Sequence, residues 1–250
     1  MPPLRRAAAG SSSWNETRGV LSTGWSRADL RCATVLLLAF DTATPAVTVA
    51  LHDGTGVVAQ RAAVDARRHG ELLADAIIGA LADCGATPTG LTAIAVGTGP
   101  GPYTGLRVGL VTARVLSSAL GIPVHGVCTL DVIAQTAAAG AAGREFIVAT
   151  DARRKEVYWA RYSPAAERIW GPGVSLPSEL PVGYPVAGEG PVRYPELTAE
   201  PIPPRYPAAA QLAELAVARL ASGAAALPAE PLYLRRPDAR VPGKPKRVTP

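Results

Sequence analysis

With 250 residues, 48% of them hydrophobic, the chain has enough apolar material for a substantial core, as one large domain or two small lobes. Its most apolar stretch, residues 106–122, is broken by Arg107 and Arg114, which argues against a membrane span, and residues 1–34 lack the compact apolar run of a secretory signal. The net charge of +5 sits at the ends: residues 1–34 hold five Arg against two acids and residues 235–250 six Lys and Arg against one, while residues 35–234 hold 14 basic against 17 acidic side chains, so the body does not attract a nucleic-acid backbone by net charge.

Residues 1–34 show no hydrophobic period and are expected to form an extension without ordered structure; a misassigned start codon would leave the same abrupt onset of pattern at Val35. The run VLLLAF then reads as a buried strand, followed by strands over 47–51 and 57–64 with His52-Asp53-Gly54 turning between them. A helix over 69–84 places Leu72, Leu73, Ala76, Ile77, Ala80, Leu81 and Cys84 at helical spacing before Gly85 stops it. A strand over 91–96, the loop GTGPGPYTG, a helix over 104–120 closed by Gly121, a strand over 124–127 and a helix over 129–139 make a βαβ series. Strands over 146–150 and 156–162 repeat the opening move around Asp151-Ala152-Arg153-Arg154-Lys155. Pro and Gly break up residues 172–207, and one more helix is expected over 208–221. The expectation is an α/β chain of two related halves: an N-terminal lobe over 35–140, a reduced C-terminal lobe over 141–234 and a basic tail over 235–250.

Few of the usual chemical constellations are present. Cys32, Cys84 and Cys128 lie far apart with no C-x-x-C pair and read as reduced thiols of a cytoplasmic protein. His69 opens a helix, but Leu73 stands where a helical metal pair would put its second histidine, so no metal site is expected. The loop 97–105 lacks the lysine of a P-loop, and Pro100 and Pro102 remove two N–H donors that a phosphate cradle would need. It reads as a rigid, shape-determining turn, with Thr104 as the helix N-cap. Asp41, Thr42 and Thr44 follow the first strand as actin-like ATPases and sugar kinases present a carboxylate and hydroxyls to metal-bound phosphates, and Thr150-Asp151 repeats this in the second half. The same residues are ordinary turn formers, so Asp41, Thr42, Thr44 and Asp151 stand as candidate nucleotide contacts with turn formation as the alternative. The helix over 104–120 is apolar around most of its circumference, which one sheet cannot cover; it either sits between lobes or meets a partner.

Taken together, LLLAFDTATPAVTVAL, the helix opening at His69, AVGTGPGPYTGLRVGL, ATDARRKEVYWARY and PLYLRRPDA resemble the TsaB (YeaZ) family. The resemblance implies an actin-like ATPase (ribonuclease H-like) fold. It also implies a role without catalysis of its own in making threonylcarbamoyladenosine in tRNA, as a heterodimer with TsaD, with TsaE binding the pair and tRNA reached through the complex. The helices starting at His69 and Thr104 would then form the partner interface, with His69, Leu72, Leu73, Ile77, Leu106, Leu110 and Arg114 as its candidate residues. ATP or ADP would lodge at that interface if anywhere, and the isolated chain could pair with itself. Thr98 stands where many relatives carry Arg, and Tyr103 where Phe is common. The competing readings are a small ATPase, kinase or peptidase-like enzyme using Asp41 and Asp151, or an RNA binder working through its basic ends.

Overall fold

The computed structural model describes residues 35–198, 200–222 and 227–235; the extension over 1–34, Cys32 and nearly all of the basic tail lie outside the described residues. The first sheet has the order β3-β2-β1-β4-β5, built from β1 (Leu37–Asp41), β2 (Ala46–His52), β3 (Val57–Val64), β4 (Ala93–Gly97) and β5 (Val124–Val127). The first three strands are antiparallel neighbours, and β4 and β5 run parallel to β1. β1 is central and buried on both faces, which is why it reads as an unbroken apolar run, whereas β3 at the edge alternates between half-buried and exposed.

Two helices, α1 (His69–Asp83) and α2 (Tyr103–Leu120), cover one face of this sheet by packing Leu73, Ala76, Leu106 and Leu110 onto Leu38, Phe40, Val49 and Ile94. Each ends at a left-handed glycine, Gly85 and Gly121, the expected stop signals. The start of α2 departs from expectation. Leu106 N–H donates to the Pro102 carbonyl, so Pro102 is the N-cap; Thr104 is an exposed residue of the first turn and caps nothing. On the opposite face, α5 (Ala209–Ala221) places Leu212, Ala213 and Ala216 against Leu37, Ala39 and Ala95.

The second sheet, β8-β7-β6-β9, shortens the same plan. β6 (Phe146–Arg153), β7 (Glu156–Tyr162) and β8 (Arg168–Ser175) are antiparallel neighbours, and the two-residue β9 (Val186–Ala187) runs parallel to β6. A single helical turn, α4 (Gly190–Arg193), follows. The helix α3 (Thr129–Ala137) joins the halves, sending Val132 toward the first sheet and Leu130, Ile133 and Ala134 toward Phe146, Val148 and Tyr162. β8 was not expected, because Gly171, Pro172 and Gly173 suggest a break. It persists because it is an edge strand, where a proline's missing N–H leaves no ladder bond unmade. The architecture is the two-lobed actin-like ATPase (ribonuclease H-like) fold with a reduced second lobe.

A last segment, residues 227–235, straps the lobes together. Gly126 N–H donates to the Leu227 carbonyl and Leu232 N–H to the Thr98 carbonyl, both at 2.9 Å. Tyr233 stacks on Tyr103, and the Arg107 guanidinium lies over the Tyr103 ring and hydrogen-bonds its hydroxyl. Arg235 then reaches Glu156 at 2.8 Å and the Ala152 carbonyl at 2.9 Å in the second lobe.

Candidate functional site

The loop leaving β1 carries the candidate nucleotide contacts Asp41, Thr42 and Thr44, and the protein's own interior closes it. Asp41 is wholly buried; its carboxylate accepts the Ala43 N–H at 2.7 Å and the Thr129 hydroxyl, from the start of α3, at 2.6 Å. The Thr42 hydroxyl donates to the Gly105 carbonyl at 2.7 Å, and the Thr44 hydroxyl accepts the Ala46 N–H at 3.3 Å. The His69 Nε2 sits 2.9 Å from the Thr44 carbonyl, which can only accept, so the imidazole carries its proton there. His69 therefore ties α1 to the loop, and among the described residues no group of three His, Cys, Asp or Glu side chains is placed to hold a metal.

The glycines of GTGPGPYTGLRVGL explain this closure. Four of them, Gly97, Gly101, Gly105 and Gly109, stand at every fourth position and face the Asp41-Thr42-Ala43 turn, while Gly99 has a positive φ and packs against Leu106. A Cβ at Gly97 would overlap the Asp41 carboxylate, and one at Gly101 would overlap the Ala43 carbonyl. At Gly105 it would lie 2.5 Å from the Thr42 carbonyl oxygen, and at Gly109 2.5 Å from the Thr42 hydroxyl. The loop is thus no cradle for a ligand; its missing side chains let α2 settle directly onto the β1–β2 turn.

Asp151, at the matching place in the second lobe, is also buried and engaged. It accepts the Arg153 N–H at 2.9 Å and the Tyr194 hydroxyl at 3.3 Å, and the Arg193 guanidinium is 3.3 Å away. The structure therefore gathers Asp41, Thr42 and Thr44 into one buried turn and holds Asp151 in a separate cage of its own lobe. Their polar atoms are taken up internally, and as they stand the residues do not fit a nucleotide phosphate.

Burial pushes the Asp41 carboxyl above the ordinary carboxylate range, against the Thr129 hydroxyl, the Ala43 amide and the His69 charge, all of which favour the anion. The native state therefore holds its proton more tightly than the unfolded chain, whose value is 3.8. Stability from this group is complete below that pH and is lost as pH rises through the raised native value. Asp41→Asn is expected to pay a fixed penalty for its altered hydrogen bonds, but the gap between wild type and variant should narrow as pH rises from 4 to neutrality. Urea titrations across that range check this, and a constant gap would contradict it. The two described cysteines, Cys84 and Cys128, are raised by burial to about 11 and about 12, which keeps both as weakly reactive thiols.

Of the residues expected at a partner interface, His69, Leu72, Leu73, Ile77, Leu106 and Leu110 are buried in the chain's own core. Arg114 is exposed, but its guanidinium donates to the strap at the Ala229 carbonyl, 3.0 Å away. The apolar surface that α1 and α2 present outward consists instead of Ile78, Val111 and Val115, 67%, 57% and 60% exposed, with the half-exposed Tyr103 at the start of α2. α2 does not lie between the lobes; its outer face is open. No helix among the described residues is long and apolar enough to cross a membrane.

Comparison with known proteins places these features in a lineage. The family model for TsaD, tRNA N6-adenosine threonylcarbamoyltransferase, matches residues 46–197. An uncharacterized protein of Mycobacterium tuberculosis is 44% identical over 208 residues, 82% of this chain and 93% of that protein. The tRNA threonylcarbamoyladenosine biosynthesis protein TsaB of Escherichia coli is 38% identical over 135 residues, 54% of this chain and 58% of that protein. The structure of YeaZ from Pseudomonas aeruginosa superimposes with a TM-score of 0.67 at 30% identity, covering 80% of this chain and all of that one.

Proposed function

Because the chain belongs to the TsaB (YeaZ) family, we propose that it serves tRNA threonylcarbamoyladenosine biosynthesis as a subunit without catalysis of its own, pairing with TsaD and supporting threonylcarbamoyl transfer to the adenosine beside the anticodon. The observation that carries this reading is the closed β1–β2 turn. A catalytic or metal-binding carboxylate must reach its substrate, and Asp41 is wholly buried with both oxygens engaged. The same observation disfavours a small ATPase, kinase or peptidase-like enzyme built on Asp41 and Asp151. The exposed valines of α2, together with Ile78, supply the apolar contact a partner would cover. TsaE would join the assembled pair, tRNA would be met through the complex, nucleotide would lodge at the partner interface, and self-pairing of the isolated chain would use the same helices; all of this belongs to the cytoplasm.

The test is co-purification. The full-length chain mixed with TsaD of the same organism is expected to elute as one complex at micromolar concentration. Separate elution at that concentration would remove the basis of the proposal, and turnover of ATP by the chain alone, abolished by Asp41→Asn, would replace it with the enzyme reading.

A further inference from the structure

On the α5 side of the first sheet a cavity of about 200 Å³ opens between the two lobes. It is larger than the roughly 150 Å³ apolar cavity that accepts benzene, so it has room for a ring or a short branched chain with one polar group. One wall is apolar, from Leu215 and Leu220 of α5 and Leu227 of the strap. The polar lining is drawn from both lobes: His125 of β5, Asp131 and Gln135 of α3, Arg168 of β8 and Arg219, which shares α5 with Leu215 and Leu220.

The charges in this lining do not cancel. Asp131 accepts the Tyr162 hydroxyl at 2.8 Å and lies 3.6 Å from the Arg168 guanidinium, which also points at the Cys128 sulfur at 3.6 Å. Asp131 and Arg168 neutralise each other. Arg219, in the last turn of α5, also acts on the Asp131 carboxylate from farther away, so one carboxylate faces two guanidiniums and one positive charge is left over. His125 is buried, and that burial lowers its pKa and keeps the ring neutral. Its Nε2 finds no hydrogen-bond partner in the protein, an expense normally avoided in a folded interior.

We propose that this cavity binds a small organic monoanion with an apolar body, an aryl or short branched carboxylate, whose carboxylate meets Arg219 and Gln135 while its hydrocarbon part lies against Leu215, Leu220 and Leu227. A single leftover charge beside an apolar wall suits a carboxylate better than a phosphate dianion, which would bring a second, uncompensated charge into a partly dry space. The occupant would touch both lobes and hold them together. The site lies across the sheet from α1 and α2 and does not rest on the pairing proposed for those helices.

Benzoate is the probe. The full-length, isotope-labelled protein is titrated with sodium benzoate by amide NMR, with benzamide and inorganic phosphate as comparators and thermal unfolding as a second readout. Saturable shifts at Gln135 and Leu220, a Tm raised by a few degrees at saturation, and at least tenfold weaker binding of benzamide and phosphate are expected. Arg219→Ala, on an exposed helix end, should keep the Tm of the ligand-free protein and lose at least tenfold in benzoate affinity; Arg219→Gln should do the same. No saturable shift up to about 20 mM benzoate, equal affinity for benzamide or phosphate, or undiminished binding by either variant would overturn the assignment.

Discussion

Gly101→Ala should destabilise the protein by about 3 kcal/mol or more, a large part of the stability of an ordinary domain, although it adds a single methyl group. The added carbon would lie 2.8 Å from the Ala43 carbonyl carbon and closer still to its oxygen. The obstacle is backbone, so no rotamer change can relieve it. Gly101 does not have a positive φ, so the penalty is steric and not conformational. The Ala43 turn cannot withdraw, because Asp41 is anchored to the Ala43 amide and to Thr129, and Thr42 to Gly105. Gly56→Ala, where an added carbon meets nothing within 4 Å, is the matched control and should move the urea midpoint little. Equal midpoints for the two variants would mean that the contact between α2 and the β1–β2 turn does not organise the first lobe.

Much of this fold was legible because strand and helix periods survive in the sequence. VLLLAF is unbroken because β1 is covered on both sides, and the helix stops at Gly85 and Gly121 are left-handed as their positions imply. β8 was hidden because Pro172 signals a break wherever the ladder matters, and sequence cannot say which strand is an edge. The candidate site was half legible. The missing lysine and the two prolines of the glycine loop correctly argued for a shaped turn; what each glycine makes room for depends on a turn some sixty residues away, and no local pattern carries that. The leucines that the resemblance assigns to a partner interface also carry strong helical apolar spacing, and that property sends Leu73, Leu106 and Leu110 into the core. The informative signal was the surplus: Val111 and Val115, apolar residues off the core stripe. The cavity around Arg219 was invisible because its lining comes from four separate stretches of the sequence.

That surplus leads to the second large effect. Val111 and Val115 lie one turn apart on the open face of α2, where valine is favoured neither by helix propensity nor by burial. The double variant Val111→Glu, Val115→Glu should therefore leave the free chain's stability within about 0.5 kcal/mol, as exposed substitutions generally do. It should weaken the complex with TsaD by about 100-fold, because two apolar anchors would be replaced by carboxylates that a covered interface must desolvate. Leu110→Glu, one residue away but in the core, should behave in the opposite order, losing the fold first and the partner only as a consequence. Measuring both variants by thermal unfolding and by titration against TsaD separates a surface that binds from a core that merely supports it. A double variant that stays folded and binds with native affinity would move the interface off the outer stripe of α2.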